Sequence, residues 1–78
     1  MISVVQIKAA RAMLGWSATE LALRIDASPA TIKRYELQEG IPAAKAVILH
    51  AIQRVLEEKG IEFTGDPLKN PGVILHLK

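Results

Sequence analysis

Ala18-Thr19-Glu20-Leu21-Ala22-Leu23-Arg24-Ile25-Asp26-Ala27-Ser28-Pro29-Ala30-Thr31-Ile32-Lys33-Arg34-Tyr35-Glu36-Leu37 decides the fold. The stretch reads as two short helices, about 18–25 and 29–38, with only two or three residues between them. Helices joined so tightly must cross at a steep angle, and that crossing constrains particular positions. Leu21, Ile25, Ile32 and Tyr35 are spaced to enter one shared core. Ala22 is small, as the closest approach of two helices requires. Asp26 stands where the chain turns, because Asp tolerates positive φ better than most residues, and Ala27 tucks the turn inward. Ser28, Pro29, Ala30, Lys33 and Arg34 are left on the outer side of the second helix.

Outward from this unit, every serine marks a helix start. Ser3-Val4-Val5-Gln6 is a capping box, with Ile2 and Ile7 as its hydrophobic staple. Ser17-Ala18-Thr19-Glu20 repeats the pattern, with Trp16 and Leu21 as the staple. Ser28 precedes Pro29, a residue pre-organised for the first helical position, and Ala27 and Ile32 are the third staple pair. The first helix is expected at about 4–14, closed by Gly15 in the left-handed conformation. Gly40 ends the third. Pro42 sits near the start of a fourth, about 43–59, with Ala44, Ile48, Ile52, Val55 and Leu56 on one face and Gly60 after its end. The remainder changes period: Ile61–Phe63 and Val73–Leu77 alternate around a loop rich in Gly, Pro, Asp and Asn, which predicts an antiparallel hairpin. A lone two-stranded ribbon is marginal in water, so it must pack on the fourth helix or pair with another subunit. The expectation is a mainly α bundle of about four helices with a small C-terminal β-hairpin. Residues 1–60 form its helical domain and 61–78 a tail suited, like the C-terminal end of the fourth helix, to dimerisation; its Val73, Leu75 and Leu77 would otherwise be an exposed apolar edge.

The 78 residues make one domain. No cysteine is present, so neither disulfides nor thiolate metal sites support the fold, which suits a reducing compartment such as cytoplasm. No apolar run approaches the roughly 20 residues that span a bilayer, and the first six residues have no basic leader character. Charge is polarised. Residues 1–34 hold five cations against two carboxylates, a balance of +3, whereas residues 35–63 hold three against five, a balance of −2. That polarity is compatible with one face meeting phosphates.

Catalytic chemistry finds no support. His50 and His76 lack a helical His pair or a Cys partner, so no metal site is expected. Glu57-Glu58 reads as a solvated helix face rather than an acid/base pair, and the serines are caps rather than nucleophiles. Trp16 and Tyr35 lie at staple and core spacing, which makes them packing residues before stacking platforms. No enzyme activity and no cofactor are expected.

An outward helix with small residues at its front and two cations one turn later suits the DNA major groove. The groove is about 12 Å wide and admits one helix with its N-terminal end towards the bases. Pro29 and Ala30 permit close approach, and Ala30 or the Thr31 methyl suits a thymine methyl. Arg34 reaches a guanine edge or a phosphate, and Lys33 a phosphate as a point charge. Backbone N–H groups at the starts of the two helices, around Ser17, Ala18 and Thr19 and around Ser28, offer further phosphate contacts.

Leu14-Gly15-Trp16-Ser17, Glu20-Leu21-Ala22 and Ser28-Pro29-Ala30-Thr31-Ile32-Lys33-Arg34-Tyr35-Glu36 together resemble the Cro/cI-type (XRE-like) helix-turn-helix regulators of bacteria and phages, over roughly residues 5–60. The resemblance implies a recognition helix at about 29–37 and an ion pair between Arg11 and Glu36. The reading is a regulator of transcription on double-stranded DNA, a repressor before an activator, and because one such helix contacts too few bases for selectivity a homodimer is expected. Three positions depart from the family pattern. Ala18 replaces a glutamine that usually binds phosphate, Asp26 replaces the usual turn glycine, and Pro29 replaces a polar base-reading residue. Sparse direct readout leaves room for DNA shape to carry specificity. It also leaves an alternative open, an antitoxin-like interaction module whose DNA affinity is secondary.

Overall fold

The computed structural model describes residues 1–77. Its order is α1 (Val4–Leu14), α2 (Ala18–Arg24), α3 (Pro29–Glu36), α4 (Ala46–Glu58), β1 (Ile61–Thr64) and β2 (Gly72–Leu75). The mainly helical architecture with a small antiparallel hairpin is the one expected from the sequence.

All three serines cap helices. Ser3 makes the full box: its Oγ accepts the Gln6 N–H at 3.4 Å, and its own N–H donates to Gln6 Oε1 at 2.9 Å. Ser17 makes only half of one. Its Oγ accepts the Glu20 N–H at 3.0 Å, but the Glu20 carboxylate turns to Arg24 Nε, also at 3.0 Å. An i,i+4 cation within reach wins that carboxylate from the cap.

Gly15 closes α1 at φ 70°, and Asp26 supplies the positive φ of 57° between α2 and α3. The Ala27 N–H then reaches back to the Ala22 carbonyl at 2.9 Å. A side chain in the left-handed region costs roughly 1–2 kcal/mol, against about 0.5–1 kcal/mol of extra chain entropy for glycine. Asp26 makes no side-chain hydrogen bond among the described residues. Asp26→Gly is therefore expected to raise stability by about 0.5–1 kcal/mol, read as a higher denaturation midpoint; a lower midpoint would show that the Asp side chain contributes something the geometry does not reveal.

Two helix boundaries differ from expectation by two residues or more, and the second strand ends at Leu75 rather than Leu77. α3 ends at Glu36, with Leu37 and Gln38 already in a turn. α4 begins at Ala46 rather than 43, from Lys45, which provides no side-chain cap. The reason lies in the connecting loop. Pro42 is buried, Gln38 Oε1 accepts the Ala43 N–H at 2.7 Å, and the Gly40 carbonyl accepts the Val4 N–H at 2.8 Å. Held at those points, residues 41–45 approach the helix in non-helical geometry.

The core joins Ile2, Ile7 and Ala10 with Ala18, Leu21, Ala22, Ile32 and Tyr35, and closes with Leu49, Ile52, Leu56 and Ile61. Ile25 and Val55 pack at its margin. Leu49 is the α4 core residue absent from the expected face; it stands three and seven residues before Ile52 and Leu56, and so on their side of the helix.

The hairpin pairs Ile61 with Leu75, Glu62 with Ile74, Phe63 with Val73 and Thr64 with Gly72. Ile61, Phe63, Val73 and Leu75 turn towards the helices, so packing within the chain covers Val73 and Leu75. Ile74 and Leu77 stand out instead. The hairpin packs on α1 as well as α4. Buried Gln6 secures it: Nε2 donates to the Thr64 carbonyl at 3.2 Å and the Gly72 carbonyl at 3.1 Å.

Candidate nucleic-acid interface

The α2–α3 crossing leaves one side of α3 bare. Ile32 and Tyr35 are buried beneath it, while Ala30, Lys33 and Arg34 are exposed on the outer side. The Ser28 cap orients the leading end: its Oγ accepts the Thr31 N–H at 3.2 Å and shares a hydrogen bond with the Thr31 hydroxyl at 2.8 Å. The Thr31 hydroxyl is thus engaged, which leaves its methyl to meet a ligand. Pro29 is half-buried at the first helical position and has no N–H, so the open donor of that turn is Ala30's.

Around the start of α2, Ser17 and Thr19 are exposed, whereas the Ala18 side chain is buried in the core. Ala18 offers a surface ligand its backbone alone. Burial there follows from the helical spacing of Ala18, Leu21 and Ala22, which puts all three on the inward face.

Cations sort into two groups. Arg11, Arg24 and Arg54 each pair with a carboxylate, on Glu36, Glu20 and Glu58 respectively. Arg24 additionally lies over the Trp16 ring, 4.1 Å from its centroid. Among the described residues, Arg34 is the arginine with no carboxylate partner, and Lys33 beside it has none either. Arg34 only skirts the Tyr35 ring, at 5.8 Å.

The far end of α3 is clamped. Arg11 Nε donates to Glu36 Oε2 at 2.8 Å and Nη2 to Oε1 at 2.6 Å, a bidentate fork, while Nη1 donates to the Trp16 carbonyl at 2.8 Å. The two side chains are only 20% and 10% exposed. The hydrogen bonds that Arg11 donates to Glu36 raise its pKa, burial pushes back less strongly, and the Glu36 charge adds a smaller upward push. A raised cation stabilises the fold at every pH below its unfolded value, and that contribution fades only as pH climbs through the higher folded value. The clamp therefore stays charged on its Arg11 side up to strong alkali.

Leu37 was not singled out by the sequence reading. It is 86% exposed just past α3, seven residues beyond Ala30 and so on the same stripe; that spacing was the available signal. Leu23 is a second large apolar residue left in solvent, on the outer side of α2.

Among the described residues, no three His, Cys, Asp or Glu side chains come together as a metal site, and no helix is long and apolar enough to cross a membrane. No curated protein and no solved structure matches the chain. The sequence model of the helix-turn-helix family HTH_3 matches residues 7–49, more than half of the chain, and that span contains α1, α2, α3 and the start of α4. With this match and the bare, cationic second helix of the motif, the chain belongs to the Cro/cI-type (XRE-like) helix-turn-helix family of DNA-binding regulators.

Proposed function

We propose that the protein is a sequence-specific regulator of transcription that docks α3 in the major groove of duplex DNA as a homodimer and acts as a repressor. The observation that carries this reading is the pair Lys33 and Arg34, exposed and free of carboxylates on the outward side of α3. Two cations without internal partners lose little on leaving water for phosphates or base edges, because no existing ion pair has to break. Ser17, Thr19 and Ser28 flank the phosphate backbone, Pro29 and Ala30 allow close approach, and the Thr31 methyl meets apolar base edges. Ala18 takes part through its N–H.

One such helix touches few bases, so selectivity asks for two. Half-sites of a near-palindrome then lie about 34 Å apart, or a multiple of that. In this reading residues 1–60 bind DNA and the hairpin serves dimerisation. A dimer seated on a promoter represses by occupancy, without an activating contact.

Selection of bound duplexes from a random pool is expected to return a two-fold motif. Lys33→Ala with Arg34→Ala should weaken binding to it by about tenfold or more and reduce the slope of log affinity against log salt by about 2, one per phosphate lost. Unchanged affinity and slope in the double variant would remove α3 from the interface. An antitoxin-like role, with DNA affinity secondary, is favoured by one feature: Pro29 and Ala30 hold no base-reading polar group and Leu37 adds an exposed apolar one. That reading expects selection to fail while the fold stays intact.

A further inference from the structure

The sheet has two strands, and β2 has an open edge. Its direction follows from the ladder. The His76 N–H donates to the Gly60 carbonyl at 2.8 Å, which makes that pair a hydrogen-bonded one. Antiparallel pairs alternate, so Glu62–Ile74 is the next hydrogen-bonded pair, and the N–H and C=O of Val73 and Leu75 point away from β1. Neither residue has another backbone partner among the described residues.

Beside this edge α1 carries Val5, Ala9 and Met13, an uncharged stripe at four-residue spacing, and Val5 and Met13 are exposed. A groove of about 250 Å³ runs between the stripe and Pro71 and Val73. Ile74, on the outer face, and Leu77, beyond the strand, are exposed apolar residues of the same region. The usual devices that blunt an edge are scarce. Pro71 removes one N–H at its start, but no charged residue and no bulge interrupts Gly72–Leu75.

We propose that β2 pairs antiparallel with β2 of a second copy, giving a four-stranded sheet that covers the Val5–Ala9–Met13 stripes of both chains. The inference rests on the two-fold reading above and assigns its surface. An isologous contact sets each residue near its own copy, so charge at the centre repels itself; this edge is neutral and therefore self-complementary. With the axis at Ile74, Val73 exchanges backbone bonds with the partner's Leu75, and Leu75 with the partner's Val73. The two Ile74 side chains face each other as a non-hydrogen-bonded pair, and Leu77 lies against the partner's Pro71. The β1 edge is less suited: Glu57, Glu58 and Lys59 precede it and Asp66 follows. The groove between α2 and α4 is rimmed by Arg24, Arg54 and Glu58, charges already satisfied within the chain.

The chain has no cysteine, so a single one reports only on contacts between copies. Non-hydrogen-bonded partners lie about 4.5 Å apart at Cα, within disulfide range. Ile74→Cys is expected to form a covalent dimer under mild oxidation, whereas Val47→Cys, on exposed α4, is not. Ile74→Lys should shift the sedimentation mass from dimer to monomer with the circular dichroism unchanged. Cross-linking at 47 but not at 74 would overturn this surface and leave a homodimer standing. A monomer for the unsubstituted chain at every concentration would overturn both. Cross-linking at 74 in a protein that selects no DNA motif would support the interface and count only against the operator.

Discussion

Glu36→Ala is expected to lower folding stability by about 3 kcal/mol. The substitution removes both acceptors of the Arg11 fork and leaves a guanidinium with one remaining bond, to the Trp16 carbonyl. Stranding one member of a buried pair costs roughly 3–5 kcal/mol. The lower end applies because Arg11 is still 20% exposed and water reaches it. A 78-residue domain has about 4–12 kcal/mol in total, so the loss is a large fraction of it. At roughly 4–8 °C per kcal/mol for this size, thermal unfolding should move down by about 12–24 °C. The origin of the effect is tested by changing both partners: Arg11→Met with Glu36→Leu fills the space without a charge and should recover most of the loss. A single Glu36→Ala variant that melts with the parent would mean that the fork contributes nothing to the fold.

Gln6→Ala comes next, at about 2–4 kcal/mol. Gln6 is buried and uses both ends of its amide. One end completes the cap of α1, and the other holds the hairpin by two carbonyls 58 and 66 residues away. Truncation leaves the buried Ser3 N–H without its acceptor, a cost of about 1–3 kcal/mol, and opens a void between α1 and the sheet. Gln6→Glu separates the two functions. It retains an oxygen for Ser3 but presents a carboxylate to two carbonyl oxygens, so it should loosen the hairpin while sparing the cap. Amide exchange is the measurement: in Gln6→Glu, protection at β1 and β2 should fall well before that of α2 and α3. Equal loss in all four would show that the glutamine acts only through global stability.

What could be read from the residues alone followed from local chemistry. The three serine caps, the glycines at 15, 40 and 60 and the left-handed Asp26 are decided within a few positions of chain, and the helix starts at 4, 18 and 29 fell where those signals put them. The start of α4 was misplaced because it is set at a distance. The Gly40 carbonyl is occupied by Val4 and the Ala43 N–H by Gln38, neither of which periodicity can report. The inner face of the hairpin stayed open for a related reason: alternation gives two faces, and only packing on α1 and α4 decides which is inner. Ala18 shows the same limit at the candidate interface. Its place near the start of a helix suggested a surface role, while its spacing to Leu21 and Ala22 sends the side chain inward. The cation pair at 33 and 34 was legible because it lies on a helix whose other side is claimed by Ile32 and Tyr35.

The clamp at the far end of α3 has a consequence for how sequence is sensed. With its start fixed by the Asp26 turn and the Ser28 cap, and its end by Arg11, the helix holds one pose before any partner arrives. Little ordering entropy then remains to be lost on docking. Compliance has to be found on the other side of the contact. On the function proposed above, a stiff α3 would oblige the double helix to adjust groove width and twist to fit it, so base pairs that no side chain touches would contribute to selection through the ease with which they deform.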